Sequence, residues 1–152
     1  TAVELRKAVS IEARRKIFHT EALPGVMRVL EDAEARGLHL AVGSSSEEYW
    51  VHGHLKRLGI FERFGSIVSS SDVKDAKPAP DIFLKVLEDL GVEAENALVL
   101  EDSNNGVVAA HRAGIRVVAV PNEVTRGQDF SLAAAIIPSL ELLDLDAFFP
   151  EG

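Results

Sequence analysis

Residues 97–106, Ala97-Leu98-Val99-Leu100-Glu101-Asp102-Ser103-Asn104-Asn105-Gly106, decide how the rest of the chain reads. Four apolar residues run without interruption into two adjacent acids, a serine and asparagine cluster and a glycine. An unbroken apolar run of this length belongs to a strand covered on both faces, and the polar cluster behind it is where such a strand turns into a helix. Helical spacing follows from about Asn105 to Ala113 and stops at Gly114, after which Arg116 to Val120 repeats the apolar run and ends at Pro121. Upstream, Ile82, Phe83, Val86, Leu87 and Leu90 stripe a helix that Pro80 can open at its first position and Gly91 closes. Before it come a strand from Ser66 to Ser69 and a helix from about Glu47 to Leu58, closed by Gly59. Further upstream, a strand from Leu38 to Val42 stops at Gly43-Ser44-Ser45-Ser46, and a helix runs from Val26 to Arg36 between Leu23-Pro24-Gly25 and Gly37. Val3 to His19 is helical in pattern, and the C-terminal stretch predicts a short strand near Ala135-Ile136-Ile137 and a helix around Leu140 to Phe148. Strands alternate with helices throughout, which predicts an α/β protein with a parallel sheet between two helical layers.

The composition agrees with one folded unit and removes several other classes. The chain has 152 residues, 47% of them hydrophobic and 26% charged, so disorder, collagen and coiled coil are excluded. Its charge of 16 − 24 = −8 is spread along the sequence and offers no basic face for nucleic acid. The longest apolar stretch, Leu132 to Ile137, is far below the roughly 20 residues of a membrane helix, and the first residues show no basic segment followed by an apolar core, so no signal peptide is expected in them. With no cysteine there is neither a disulfide framework nor a thiolate site, which fits a cytoplasmic location. No Gly-x-Gly-x-x-Gly follows any strand, which counts against a dinucleotide-binding oxidoreductase.

In parallel sheets ligands bind beyond the carboxyl ends of the strands, so the residues behind each apolar run are the functional candidates. Ser44 and Ser45 follow the first strand, where a hydroxyl and the free N–H groups of the next helix can receive an anion; capping that helix is the alternative. Glu101 and Asp102 are two acids at the end of a buried strand, an arrangement that calls for a cation or for hydrogen bonds from the following helix. Lys77, ahead of Pro78-Ala79-Pro80, alone reads as a solvated charge. In order, hydroxyl, lysine and acid pair make a site for a phosphate and its metal ion. His19, His39, His52, His54 and His111 have no metal-ligand spacing and read as packing or surface residues. Tyr49-Trp50 reads as packing, with a substrate platform as the alternative, and Arg126 is an unsupported phosphate contact.

Leu40-Ala41-Val42-Gly43-Ser44-Ser45-Ser46, Lys77-Pro78-Ala79-Pro80-Asp81-Ile82-Phe83 and Val99-Leu100-Glu101-Asp102-Ser103-Asn104-Asn105-Gly106 resemble, in order, the second, third and fourth motifs of the haloacid dehalogenase-like hydrolases. Within them the chain is most similar to the β-phosphoglucomutase-like phosphatases with a helical cap; the likeness extends to Leu23-Pro24-Gly25-Val26 and Val120-Pro121-Asn122. The resemblance implies a three-layer Rossmann-like core over residues 21–152, with residues 1–20 as the last helix of a cap. It implies that Ser44 and Ser45 bind the phosphoryl group, that Lys77 holds the phosphate and the nucleophile's charge, and that Glu101 and Asp102 face Mg²⁺, Asp102 most directly.

The family's first motif, an apolar strand followed by Asp-x-Asp-Gly, has no counterpart here; Leu143-Asp144-Leu145-Asp146 lacks both the strand context and the glycine. Its first Asp attacks phosphorus to form an aspartyl-phosphate and its second is the general acid and base. In the family that strand lies centrally, between those ending at Ser44 and Glu101, so its loss would leave backbone groups without partners at roughly 1–3 kcal/mol each. The chain also opens with Thr, so the expectation is an upstream segment that completes the sheet and carries the nucleophile, the present residues alone being inactive. The resulting expectation is a Mg²⁺-dependent phosphohydrolase of a small phosphorylated metabolite such as a sugar phosphate. The alternatives are a β-phosphoglucomutase-type phosphomutase, a metal-independent dehalogenase, and a non-catalytic anion-binding module that has lost its nucleophile.

Overall fold

The computed structural model describes residues 20–150, so the cap helix expected over residues 1–20 lies outside the described residues except for Thr20. Four α-helices, α1 (Val26–Ala35), α2 (Glu48–Arg57), α3 (Asp81–Leu90) and α4 (Asn104–Arg112), alternate with five strands. The strands are β1 (Ala41–Gly43), β2 (Ser66–Val68), β3 (Leu98–Glu101), β4 (Arg116–Ala119) and β5 (Ala135–Ile136). Gly37, Gly59, Gly91 and Gly114, each at positive φ, end the four helices as the sequence indicates. None of the described helices is long and apolar enough to cross a membrane.

The strands form a pair, β1 with β2, and a trio, β3 with β4 with β5, every pairing parallel. Ser44 N donates to Val68 O and Gly65 N to Leu40 O, so the peptide groups of the even positions along β1 turn to β2. By the alternation of a parallel ladder, those of Ala41 and Gly43 turn the other way. On β3, Val120 N donates to Glu101 O, so Val99 and Glu101 serve β4 while Leu98 and Leu100 turn away from it. Between β1 and β3 lies a cavity of about 600 Å³, walled by both strands, by Val29 and Leu30 of α1 and by Phe83 and Leu87 of α3.

Two apolar clusters cover the faces of β4. Val107, Ala109 and Ala110 of α4 pack with Val117, Ala119, Phe83 and Phe130 on one side. Val29 and Ala33 of α1 pack with Val118, Leu143 and Leu145 on the other. Arg28 ties α1 to the C-terminal segment by donating to Leu140 O and Leu143 O, each at 2.8 Å.

That segment corrects the sequence reading. In place of a helix over Leu140 to Phe148 there are two single 3₁₀ turns, Leu140–Leu142 and Leu145–Ala147. The Ser139 hydroxyl accepts from Glu141 N and caps the first turn, whereas the Asp144 carboxylate accepts from Asp146 N, the donor that a helix running on from Leu140 would send to Leu142 O. The extended Leu143 between them buries its side chain, as does Leu145, at 4% exposure each. Pro80 is the residue before α3 instead of its first residue, and β1 begins at Ala41, three residues after the apolar run opens.

Candidate active site

The carboxyl ends of β1 and β3 and the loop before α3 converge at one end of the cavity. β1 reaches this edge past α3 because position 43 has no side chain: a Cβ on Gly43 would lie 2.7 Å from Ile82 Cγ2. Ser44 then turns its hydroxyl to accept from Ser46 N at 3.1 Å. It does not cap α2, whose flanking residue is Glu47 with no side-chain cap, so the capping reading of Ser44 is overturned. Ser46 O accepts from Ser70 N at 3.0 Å and Ser71 Oγ accepts from Glu48 N at 3.4 Å, which fastens this loop to the end of β2. Ser45 is exposed on the same loop.

The β2 end is itself fixed by a reciprocal cap. Asp72 Oδ2 accepts from Ser69 N at 2.7 Å and from Ser69 Oγ at 2.8 Å. These donors hold the Asp72 carboxyl below the usual carboxylate range.

Lys77 is enclosed at this edge. Its side chain is 10% exposed; Nζ donates to Gly43 O at 3.0 Å and to Glu101 Oε1, and lies 4.7 Å from the centre of the Phe83 ring. The peptide bond to Pro78 is cis, and Arg112 Nη1 donates to Pro78 O at 3.1 Å. Lys77 is thus not the solvated charge that it would be taken for alone: it bridges the two strand ends.

The two acids divide. The Glu101 side chain is 9% exposed; Oε1 takes the Lys77 ammonium while Oε2 accepts from Asp102 N at 3.2 Å and Ser103 Oγ at 3.4 Å. Gly106 makes the room, since a Cβ there would collide with the Glu101 carboxylate. Ser103, whose hydroxyl accepts from Gly106 N at 3.2 Å, caps α4, so neither acid does. Asp102 is exposed and accepts at Oδ2 from Asn122 Nδ2 at 3.0 Å. Among the described residues no three acidic, histidine or cysteine side chains cluster as a metal cage. Mg²⁺ is commonly held by one or two carboxylates together with water and substrate phosphate, and Asp102, with Glu101 beside it, fits that hard-oxygen donor set.

Two contributors were not singled out from sequence, Gly106 as the socket for Glu101 and Asn122 as the partner of Asp102. The Pro121-Asn122 pair, a turn signal behind a strand, is the only trace of the second. Of the histidines, His19 lies outside the described residues, while His52 packs on Phe61 and His54 on Trp50, and burial lowers the His54 pKa. Arg126 is exposed and lies 3.8 Å from Glu123.

Against known sequences, the profile of the haloacid dehalogenase-like hydrolases matches residues 3–120. YhcW of Bacillus subtilis is 45% identical over 111 residues, 73% of this chain and 50% of that protein. The phosphorylated carbohydrates phosphatase of Thermotoga maritima is 36% identical over 129 residues, 82% of this chain and 59% of that protein. Among solved structures, a mutant CbbY from Rhodobacter sphaeroides in complex with xylulose-(1,5)bisphosphate superposes with a TM-score of 0.81 at 29% identity, covering 93% of this chain and 65% of that one. The chain thus spans about half the length of the curated relatives it matches.

Proposed function

The chain belongs to the haloacid dehalogenase-like hydrolases, and on that premise we propose that it forms most of the catalytic core of a Mg²⁺-dependent phosphohydrolase acting on a small phosphorylated metabolite, in particular a sugar phosphate. The observation that carries this reading is the confinement of Lys77 at the joint end of β1 and β3, bonded to Gly43 O and Glu101 and one residue from the Ser44 hydroxyl. A cation fixed at that edge beside a hydroxyl loop is suited to the oxygens of a transferring phosphoryl group. The names of the Thermotoga phosphatase and of the sugar-bisphosphate complex support the substrate class.

In this reading an apolar strand parallel to β1 and β3 fills the slot between them, and carries Asp-x-Asp at its carboxyl end. Its first carboxylate attacks phosphorus, the bond to the leaving alcohol breaks, and the second Asp supplies the alcohol's proton before activating the water that releases phosphate. Ser44, Ser45 and the N–H groups of their loop orient the phosphoryl oxygens, and Lys77 offsets their charge and that of the nucleophile. Glu101 keeps Lys77 in place, and Asp102, with Glu101 beside it, would hold the Mg²⁺. Bound there, the ion supplies charge neutralisation between phosphate and carboxylates.

The test is phosphate release from a panel of sugar phosphates by the catalytically complete protein, with 2-haloacids as competitors, with and without Mg²⁺. Asp102→Asn should lower the Mg²⁺-dependent kcat/KM by more than about 100-fold, the upper range seen when only a residue supporting a ligand is removed. Metal-independent turnover of a haloacid, or full activity of Asp102→Asn, would overturn the reading.

A further inference from the structure

We propose that Asn122 is a positioning residue: it holds the Asp102 carboxylate in the one orientation that presents its second oxygen to a divalent cation. The inference rests on the metal role just assigned to Asp102.

The Asn122 amide is fixed from behind. Its Oδ1 accepts from Val124 N at 2.9 Å and from Thr125 N at 3.0 Å, while the backbone N–H of Asn122 donates to Thr125 Oγ1 at 3.0 Å. Two N–H groups on one side of the amide leave no ambiguity about which end is oxygen, so Nδ2 is the atom facing Asp102. Thr125 is 8% exposed, so the turn that holds the amide is anchored in the fold. Nδ2 then donates to Asp102 Oδ2 at 3.0 Å, a bond to an ionised acceptor.

The same loop is fastened to the start of α4 at two further points. Asn104 N donates to Gln128 Oε1 at 2.7 Å and Asn104 Nδ2 donates to Asp129 O at 2.6 Å. Residues 122–129 therefore act as a bracket on residues 102–104, and Asn122 is the arm that reaches the exposed acid. Without it the carboxylate is free to rotate about two side-chain bonds, and ordering it on a cation costs entropy. Glu101 has no such need, because Lys77, Asp102 N and Ser103 Oγ already fix both its oxygens.

The sharpest variant is Asn122→Ser, whose hydroxyl can still accept from Val124 N and Thr125 N but is too short to reach Asp102. Asn122→Ala removes both functions and reports what loss of the turn adds. In the catalytically complete protein, calorimetric titration with Mg²⁺ alone should show the Kd rise about tenfold or more in Asn122→Ser, within the range for partners that support a metal ligand. The Mg²⁺ concentration for half-maximal phosphate release should rise in parallel, while kcat at saturating Mg²⁺ and the KM for the sugar phosphate stay near wild type. A lowered Tm with an unchanged Mg²⁺ Kd in both variants would make Asn122 a loop residue only and overturn the inference. Asp102→Asn, titrated alongside, separates the two levels: if it too keeps the wild-type Mg²⁺ Kd, the metal role of Asp102 fails; if it loses binding and Asn122→Ser does not, only the positioning role fails.

Discussion

β3 and β4 carry almost the same kind of sequence, Leu98-Val99-Leu100 against Val117-Val118-Ala119, and meet different fates. In β4 those three residues are at most 1% exposed, because α1 and α4 cover its faces and β3 and β5 its edges. In β3, Leu98 and Val99 are only half-buried and Leu100 is 36% exposed, and in β1, which shares the same cavity, every residue is half-buried. An unbroken apolar run thus encodes two covered faces and two paired edges at once. Where the faces are covered and one edge is not, composition and burial disagree, and the proposed central strand would account for that difference.

The largest effect that tests this difference is expected from Leu100→Ala in the catalytically complete protein. With a strand in the slot Leu100 behaves as a core residue, and chemical denaturation should report a loss of about 2–5 kcal/mol. A cost of about 1 kcal/mol or less would mean that the β3 edge remains half-exposed, and the proposed central strand would have to be abandoned.

Gly106→Ala sharpens the same comparison at the cavity's polar end. The new methyl would occupy the space of the Glu101 carboxylate and force it away from Lys77. If Lys77 binds the phosphate as proposed, displacing it by about an ångström costs on the order of 100-fold in rate, so kcat for phosphate release should fall roughly 10–100-fold. Wild-type kcat in this variant would show that the Lys77–Glu101 contact does not set the position of the lysine.

The architecture was legible because its signals are local: apolar runs of strand length, glycines at positive φ behind four helices, and polar clusters at the strand ends. The proximity of the candidate residues was legible in their order, since Lys77 meets Glu101 beside Gly43-Ser44. What could not be read was the difference between neighbours. Glu101 and Asp102 are both acids in sequence, and only the absence of a side chain at Gly106 lets Glu101 fold inward while Asp102 stays outside. Asn122 acts across 20 residues of chain, beyond the reach of any spacing rule. The helix expected around Leu140 to Phe148 failed for a local reason: Asp144 captured Asp146 N, a donor that a helix extending from the Ser139 cap would have used.

The smallest effect belongs to β2, where the Asp72–Ser69 cap does not face the slot and its contribution should not depend on what fills it. Ser69 is fully buried and donates through both its N–H and its hydroxyl to Asp72, which lowers the carboxyl pKa from its ordinary 3.8. A group whose pKa is lower in the folded state stabilises the fold at pH above its unfolded value, and that stability is lost as pH falls through the folded value. Wild type should therefore exceed Asp72→Asn in stability by about 1 kcal/mol or less at pH 7, the low end for a cap because the carboxylate is exposed. In Tm measured from pH 7 down to pH 3, the gap should narrow once pH drops below about 4. A gap that holds constant across this range would assign the stabilisation to the shape of the turn and not to the charge, and a gap that widens would reverse the sign argued from the Ser69 donors.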